Sequence, residues 1–146
     1  MRIMGLDYGG HTVGVAVSDE LGITAQPREI IRRRKENKLR QTFARIDELI
    51  REYQVQLIVV GLPLNMNDSE GERAQAARQF GETLRTRTGL PVEYRDERLT
   101  TVEADELMST MDIRGRDRKE YVDMLAANVI LQDYMEERRK NKDTTI

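Results

Sequence analysis

Three observations predict an α/β domain whose mixed, five-stranded sheet is covered by helices on both faces. Two apolar runs broken by glycines open the chain, a helical-period segment leads at once into a wholly apolar run, and a polar loop rich in turn formers follows that run. From Arg2 to Ser18 the apolar residues Ile3, Met4 and Leu6 and then Val13, Val15 and Val17 flank Gly9 and Gly10, which predicts a β-hairpin. Ile30 and Ile31 after Pro27 predict a third strand within 23–33. Leu39, Phe43, Ile46, Leu49, Ile50 and Tyr53 recur every three or four residues, so an amphipathic helix is expected from Asn37 to Tyr53. Gln56 to Gly61 reads as a strand buried on both faces, hence a helix followed by a parallel strand. The loop from Leu62 to Gly71 includes Asn65 and lies at the carboxyl end of that strand, where open α/β sheets bind ligands. A second helix is expected from Ser69, as N-cap, to Thr88, with Gly89 as its stop. Then come a short strand from Pro91 to Arg95, a helix from Thr101 to Thr110, a basic turn from Arg114 to Lys119, and a last helix from Glu120 to Arg139.

The length of 146 residues fits one domain, expected over 1–139 with a polar, frayed tail over 140–146, and is too short for two substantial lobes around a cleft. The absence of Cys excludes a disulfide scaffold, a thiolate metal site and a Cys nucleophile. With one His, any metal would be held mainly by carboxylates, which suits Mg²⁺ or Mn²⁺ far better than zinc. No apolar stretch of about 18 residues occurs and the N-terminus lacks a signal-peptide apolar region, so a cytoplasmic protein away from membranes is expected.

Three carboxylates stand where burial would be costly. Asp7 interrupts an apolar strand just before Tyr8-Gly9-Gly10. Buried and unpaired, it would cost several kcal/mol, so it needs a partner, a turn to cap or a metal. Asp96-Glu97 follows the strand Pro91 to Arg95, and by itself such a pair is more often a solvated helix cap than a site. Asp123 lies beside Ala126, Ala127 and Ile130 at helical spacing, at the edge of the packed face of the last helix. Two carboxylates about 4 Å apart repel by roughly 4 kcal/mol at an effective dielectric of 20, and one or two divalent cations would relieve this.

The residues Gly5-Leu6-Asp7-Tyr8-Gly9 leading to Gly14-Val15-Ala16-Val17-Ser18-Asp19, then Val60-Gly61-Leu62-Pro63 with Leu64-Asn65-Met66, then Asp96-Glu97-Arg98-Leu99-Thr100-Thr101, and finally Asp123 with Ala126-Ala127 and Ile130-Leu131-Gln132 resemble the YqgF family. These bacterial RuvC-like proteins are described both as Holliday junction resolvases and as pre-16S rRNA nucleases. The resemblance runs from Ile3 to Tyr134 and rests on four ordered motifs. It implies a ribonuclease H-like fold in which Asp7, Glu97 and Asp123 form an acidic triad that binds Mg²⁺ or Mn²⁺ and hydrolyses phosphodiesters. The chain departs from the family at Gly10 and His11, where Thr or Ser and then Lys or Arg are usual, which weakens the expectation of a fixed cationic phosphate contact at that turn. It also carries Asn67-Asp68 where Asp-Gly or Asn-Gly is common, so the loop's turn is expected to differ.

Around the triad, Gly9, His11, Asn65, Arg98 and Lys119 are candidate substrate contacts. Each has a plainer reading: His11 as a solvated turn residue, Arg98 as an ion-pair partner, and Lys119 with the Arg114 to Arg118 run as a solvated loop. Leu107, Met108 and Met111 read as packing residues. The expected function is a metal-dependent nuclease trimming the 5′ end of precursor 16S rRNA, as a monomer or weak homodimer. The competing functions are a resolvase of four-way DNA junctions, which would require paired cuts by a dimer, and a non-catalytic nucleic-acid-binding module, which would predict loss of a triad acid. A sugar kinase or actin-like ATPase would need a second lobe.

Net charge first looks unfavourable to a nucleic-acid partner, with 24 bases against 26 acids. Its distribution reverses that reading. Arg28 to Arg40 holds seven bases against two acids, and Arg114 to Lys119 holds four against one, while acids gather from Glu93 to Glu106 where divalent ions would invert the local sign.

Overall fold

A computed structural model describes residues 1–63, 70–96 and 116–143, with the side chains of the last span described over 124–141. The elements run β1 (Arg2–Tyr8), β2 (Thr12–Ser18), β3 (Ala25–Arg32), α1 (Arg40–Tyr53), β4 (Val55–Leu62), α2 (Glu72–Thr88), β5 (Val92–Asp96) and α3 (Arg116–Asp143). The strands form one sheet in the order β3-β2-β1-β4-β5. The first three are antiparallel, and β1–β4 and β4–β5 are parallel, which is the expected hairpin, third strand and parallel crossovers. Pro27 lacks an N–H and sits on edge strand β3, where the register with β2 shifts.

Strand alternation divides the interior into two cores. Met4, Leu6 and Tyr8 of β1, Val13, Val15 and Val17 of β2, and Ile58, Val60 and Leu62 of β4 meet Phe43, Ile46 and Leu49 of α1 and Ala77, Phe80 and Leu84 of α2. On the other face Ile3, Ala16, Leu57 and Val59 pack beneath Ala127, Ile130, Leu131 and Met135 of α3. Helices thus cover both faces. The small residues of α3 do bring it close: a Cβ built on Gly5 of β1 would lie 2.7 Å from Leu131 Cβ and 3.0 Å from the Ala127 carbonyl oxygen. Further along, the Tyr134 hydroxyl donates to Glu93 and Arg95 pairs with Glu137, fastening the later turns of α3 to β5.

Several boundaries differ from the sequence expectation. α1 starts at Arg40 rather than Asn37, because a turn closed by the Lys38 N–H on the Lys35 carbonyl (3.0 Å) occupies the preceding residues. α2 starts at Glu72 with Gly71 at its cap and no side-chain cap bond, so the cap is not Ser69, which lies outside the described residues. Glycine tolerates the extended cap backbone, and Glu72 supplies the favourable first-turn charge. Gly89 does end α2, at φ 73°, donating its N–H to the Arg85 carbonyl. The basic residues Arg116 to Lys119 begin α3 instead of forming a turn, and Lys140 to Asp143 continue it rather than fraying. Arg, Lys and Glu are good helix formers, so charge alone did not mark a break. The helix expected from Thr101 to Thr110 lies outside the described residues.

Candidate active site

Asp7 is the penultimate residue of β1, half-buried, and alternation sets it on the α3 face of the sheet. Its neighbour on β2 is Gly14, and on β4 the register that pairs Leu6 with Val60 brings Gly61 alongside. Gly61 in turn pairs with Arg95 of β5. The Asp7 carboxylate is therefore flanked within the sheet by two residues without side chains, Gly14 and Gly61, both of them buried.

The crossing of α3 sets the helical backbone of residue 123 at the same end of the sheet as Asp7. Glu137, Arg138 and Asn141 of α3 line one cavity with Met1, Gln56 and Pro91 at the amino ends of β1, β4 and β5, while Ala127 lies over Gly5, so α3 runs from the carboxyl end of β1 back toward its amino end. One helical turn before Ala127 moves the backbone about 6 Å, and two strand residues beyond Gly5 move it about 7 Å in the same direction. Residue 123 of the helix and Asp7 of β1 thus stand at the same end. The seam that holds α3 in this position is tightly bonded. Burial, reinforced by the bond to Glu93, pushes the Tyr134 hydroxyl up to about 12, and burial raises the Asp133 carboxyl against the lowering influence of Arg95.

The turn after Asp7 is braced from below. The Gly9 N–H donates to the Thr12 carbonyl at 2.8 Å, so this amide is spent within the turn. A Cβ at Gly9 would lie 3.2 Å from that same oxygen, and one at Gly10 would meet nothing within 4 Å. His11 is exposed, and its carbonyl accepts the Arg33 N–H at 2.8 Å. Arg33 also donates from Nη2 to the Gly9 carbonyl and from Nε to the Glu36 carbonyl, and its guanidinium carbon lies 4.8 Å from the Tyr8 ring centre. Tyr8 in turn stacks on Phe80 at 4.5 Å. This bracing role of Arg33 was missed in the sequence; only its membership of the basic run pointed to it.

Of the other expected site residues, Glu97, Asn65 and Arg98 lie outside the described residues, and Asp123 and Lys119 are described as helical backbone without their side chains. Among the described residues no group of three or more His, Cys, Asp or Glu is arranged to hold a metal. No helix among them is long and apolar enough to cross a membrane.

A family model described as "RuvX: Holliday junction resolvase" matches residues 1–137. The chain belongs to this RuvX family. A relative from Agathobacter rectalis is 60% identical over 136 residues, covering 93% of this chain and 95% of its own. One from Lachnospira eligens is 58% identical over 140 residues, covering 96% and 100%, and one from Streptococcus thermophilus 50% identical over 137, covering 93% and 98%. All three carry the name "Putative pre-16S rRNA nuclease". Among solved structures, Thermus thermophilus RuvC in complex with a Holliday junction substrate aligns with a TM-score of 0.59 at 16% identity, over 95% of this chain and 96% of that one. The fowlpox virus resolvase with its Holliday junction DNA aligns at 0.58 and 11%, over 94% and 99%. At those identities the likeness concerns the fold, and it agrees with the RuvC-like, ribonuclease H-like architecture expected of a RuvX protein.

Proposed function

We propose that this RuvX protein is a divalent-metal-dependent nuclease that hydrolyses phosphodiester bonds of precursor 16S rRNA in the cytoplasm. The observation that carries the reading is Asp7 itself: a half-buried carboxylate near the end of β1, flanked in the sheet by Gly14 and Gly61, at the end of the sheet where the helical backbone of residue 123 lies. The donor chemistry fits Mg²⁺ or Mn²⁺, since Asp7, Glu97 and Asp123 offer hard carboxylate oxygens and the chain has no Cys. Bound there, such ions supply an activated water and charge stabilisation at the leaving oxygen. Asp7 holds negative charge that binds them. Glu97 and Asp123 complete the ligand set, and Gly9, His11, Asn65, Arg98 and Lys119 are the candidate substrate contacts. The domain responsible spans 1–139.

Incubation of the purified protein with Mg²⁺ or Mn²⁺ and either a precursor rRNA 5′ segment or a four-way DNA junction tests this. The wild type is expected to cleave the RNA, and Asp7→Asn to lose about a hundredfold or more in rate, the equivalent of several kcal/mol of charge stabilisation. Equal cleavage by the variant would sink the role of Asp7. Cleavage of the junction in preference to RNA would assign the chain to the DNA substrate that its family description names.

A further inference from the structure

We propose that the concave basic surface between β3 and α1 is a docking groove for the phosphate backbone of single-stranded RNA. The inference rests on the nuclease reading above and adds a surface to it. Arg32, Arg33, Arg34, Lys35, Lys38 and Arg40 line a cavity of about 710 Å³. The only acids in the run from Arg28 to Arg40 are turned to other uses. Glu36 pairs with Arg73 of α2 at 2.5 Å, Glu29 pairs with Arg45 of α1 at 2.7 Å, and neither lines the cavity. Several arginines elsewhere are matched to acids, as at Arg78–Glu70, Arg85–Glu82, Arg87–Asp47 and Arg95–Glu137. Arg34, Lys35, Lys38 and Arg40 are exposed and make no ion pair among the described residues. Four adjacent cations repel one another, so leaving them unmatched in a concavity weakens the folded state and favours a polyanion there.

The groove is also fixed relative to Asp7. Arg33 forms part of its wall while donating to the Gly9 carbonyl, two residues and about 7 Å of chain beyond Asp7. Among the described residues Arg33 Nη1 is buried with no hydrogen-bond partner. No aromatic residue lines the cavity, so bases have no stacking platform and the contact is to phosphates, independent of sequence. A flexible single strand can follow such a concavity, whereas the stiff backbone of a duplex cannot bend into it.

The test uses the full chain carrying Arg34→Ala, Lys35→Ala and Lys38→Ala together, with Arg51→Ala on the far turn of α1 as the control cation. Fluorescence anisotropy of a labelled single-stranded RNA of about 20 nucleotides, without divalent cations, is followed across a KCl series, and cleavage is followed separately with Mg²⁺. The triple variant is expected to bind roughly ten to a hundredfold more weakly at low salt and to lose about 2 from the slope of log K against log salt, with KM rising more than kcat falls. Arg51→Ala should match wild type. Unchanged affinity and slope in the triple variant, or an equal loss in Arg51→Ala, overturns the groove. Tighter binding to duplex DNA, lost in the triple variant, overturns the RNA assignment. A wild type that binds RNA through the groove but cleaves nothing overturns the nuclease reading alone, and a triple variant that binds and cleaves like a cleaving wild type overturns the groove alone.

Discussion

Arg33 joins three pieces of the molecule through one side chain: the Gly9 carbonyl in the β1–β2 turn, the Glu36 carbonyl ahead of α1, and the ring of Tyr8 in the core beneath Asp7. Arg33→Met keeps much of the volume over Tyr8 and removes both guanidinium hydrogen bonds. Each charged bond is worth about 1.5–3 kcal/mol and the loss is offset by no longer enclosing Nη1 unpartnered, so a net loss of about 1–3 kcal/mol is expected. Urea denaturation should show the midpoint falling with an unchanged m-value. A midpoint equal to wild type would mean that the turn is held by its own Gly9–Thr12 bond. At this scale the sequence was informative about Asp7, because an acid inside an apolar run is expensive and conspicuous. It was silent about Arg33, because one base among seven carries no local sign that it turns inward.

The elements show why some of the fold was legible and some was not. Period-two and period-3.6 patterns in β1, β2, α1 and β4 are written in apolar residues whose burial they require, and those elements appear where the pattern placed them. The ends of α1, α2 and α3 moved by a few residues because caps and charged turns depend on tertiary contacts the pattern does not carry. The closeness of α3 to β1 was legible only as a hint in Ala126 and Ala127; that Gly5 is the other half of the contact needed the register. Gly5→Ala puts a methyl 2.7 Å from Leu131 Cβ and 3.0 Å from a backbone oxygen, neither of which is the end of a flexible chain. The helix must shift, at a cost of about 1–3 kcal/mol. Because residue 123 rides on that helix one turn from the contact, cleavage should fall further than the lost stability accounts for. A variant that is destabilised yet fully active at 25 °C would show that the position of α3 is not critical to the reaction.

Across the whole molecule, two cores share one sheet, and β1 serves both through its alternating side chains: Met4, Leu6 and Tyr8 on one face, Ile3 on the other. Neither core has a sheet of its own, so losing either should unfold the strands that the other packs against. Leu84 of α2 and Leu131 of α3 are both fully buried, one in each core. Leu84→Ala and Leu131→Ala should each cost about 2–5 kcal/mol by removing buried methyl groups and leaving a cavity. If the sheet couples the cores, each variant unfolds in one transition, with tyrosine fluorescence and far-UV circular dichroism giving the same midpoint. Tyr8 and Tyr94 report the α1–α2 face and Tyr134 the α3 face, so the probes sample both. An α3 that melted separately in Leu131→Ala, with the α1–α2 core intact, would instead make the helix carrying Asp123 an independently closing unit, and activity would then be lost at a lower urea concentration than the sheet.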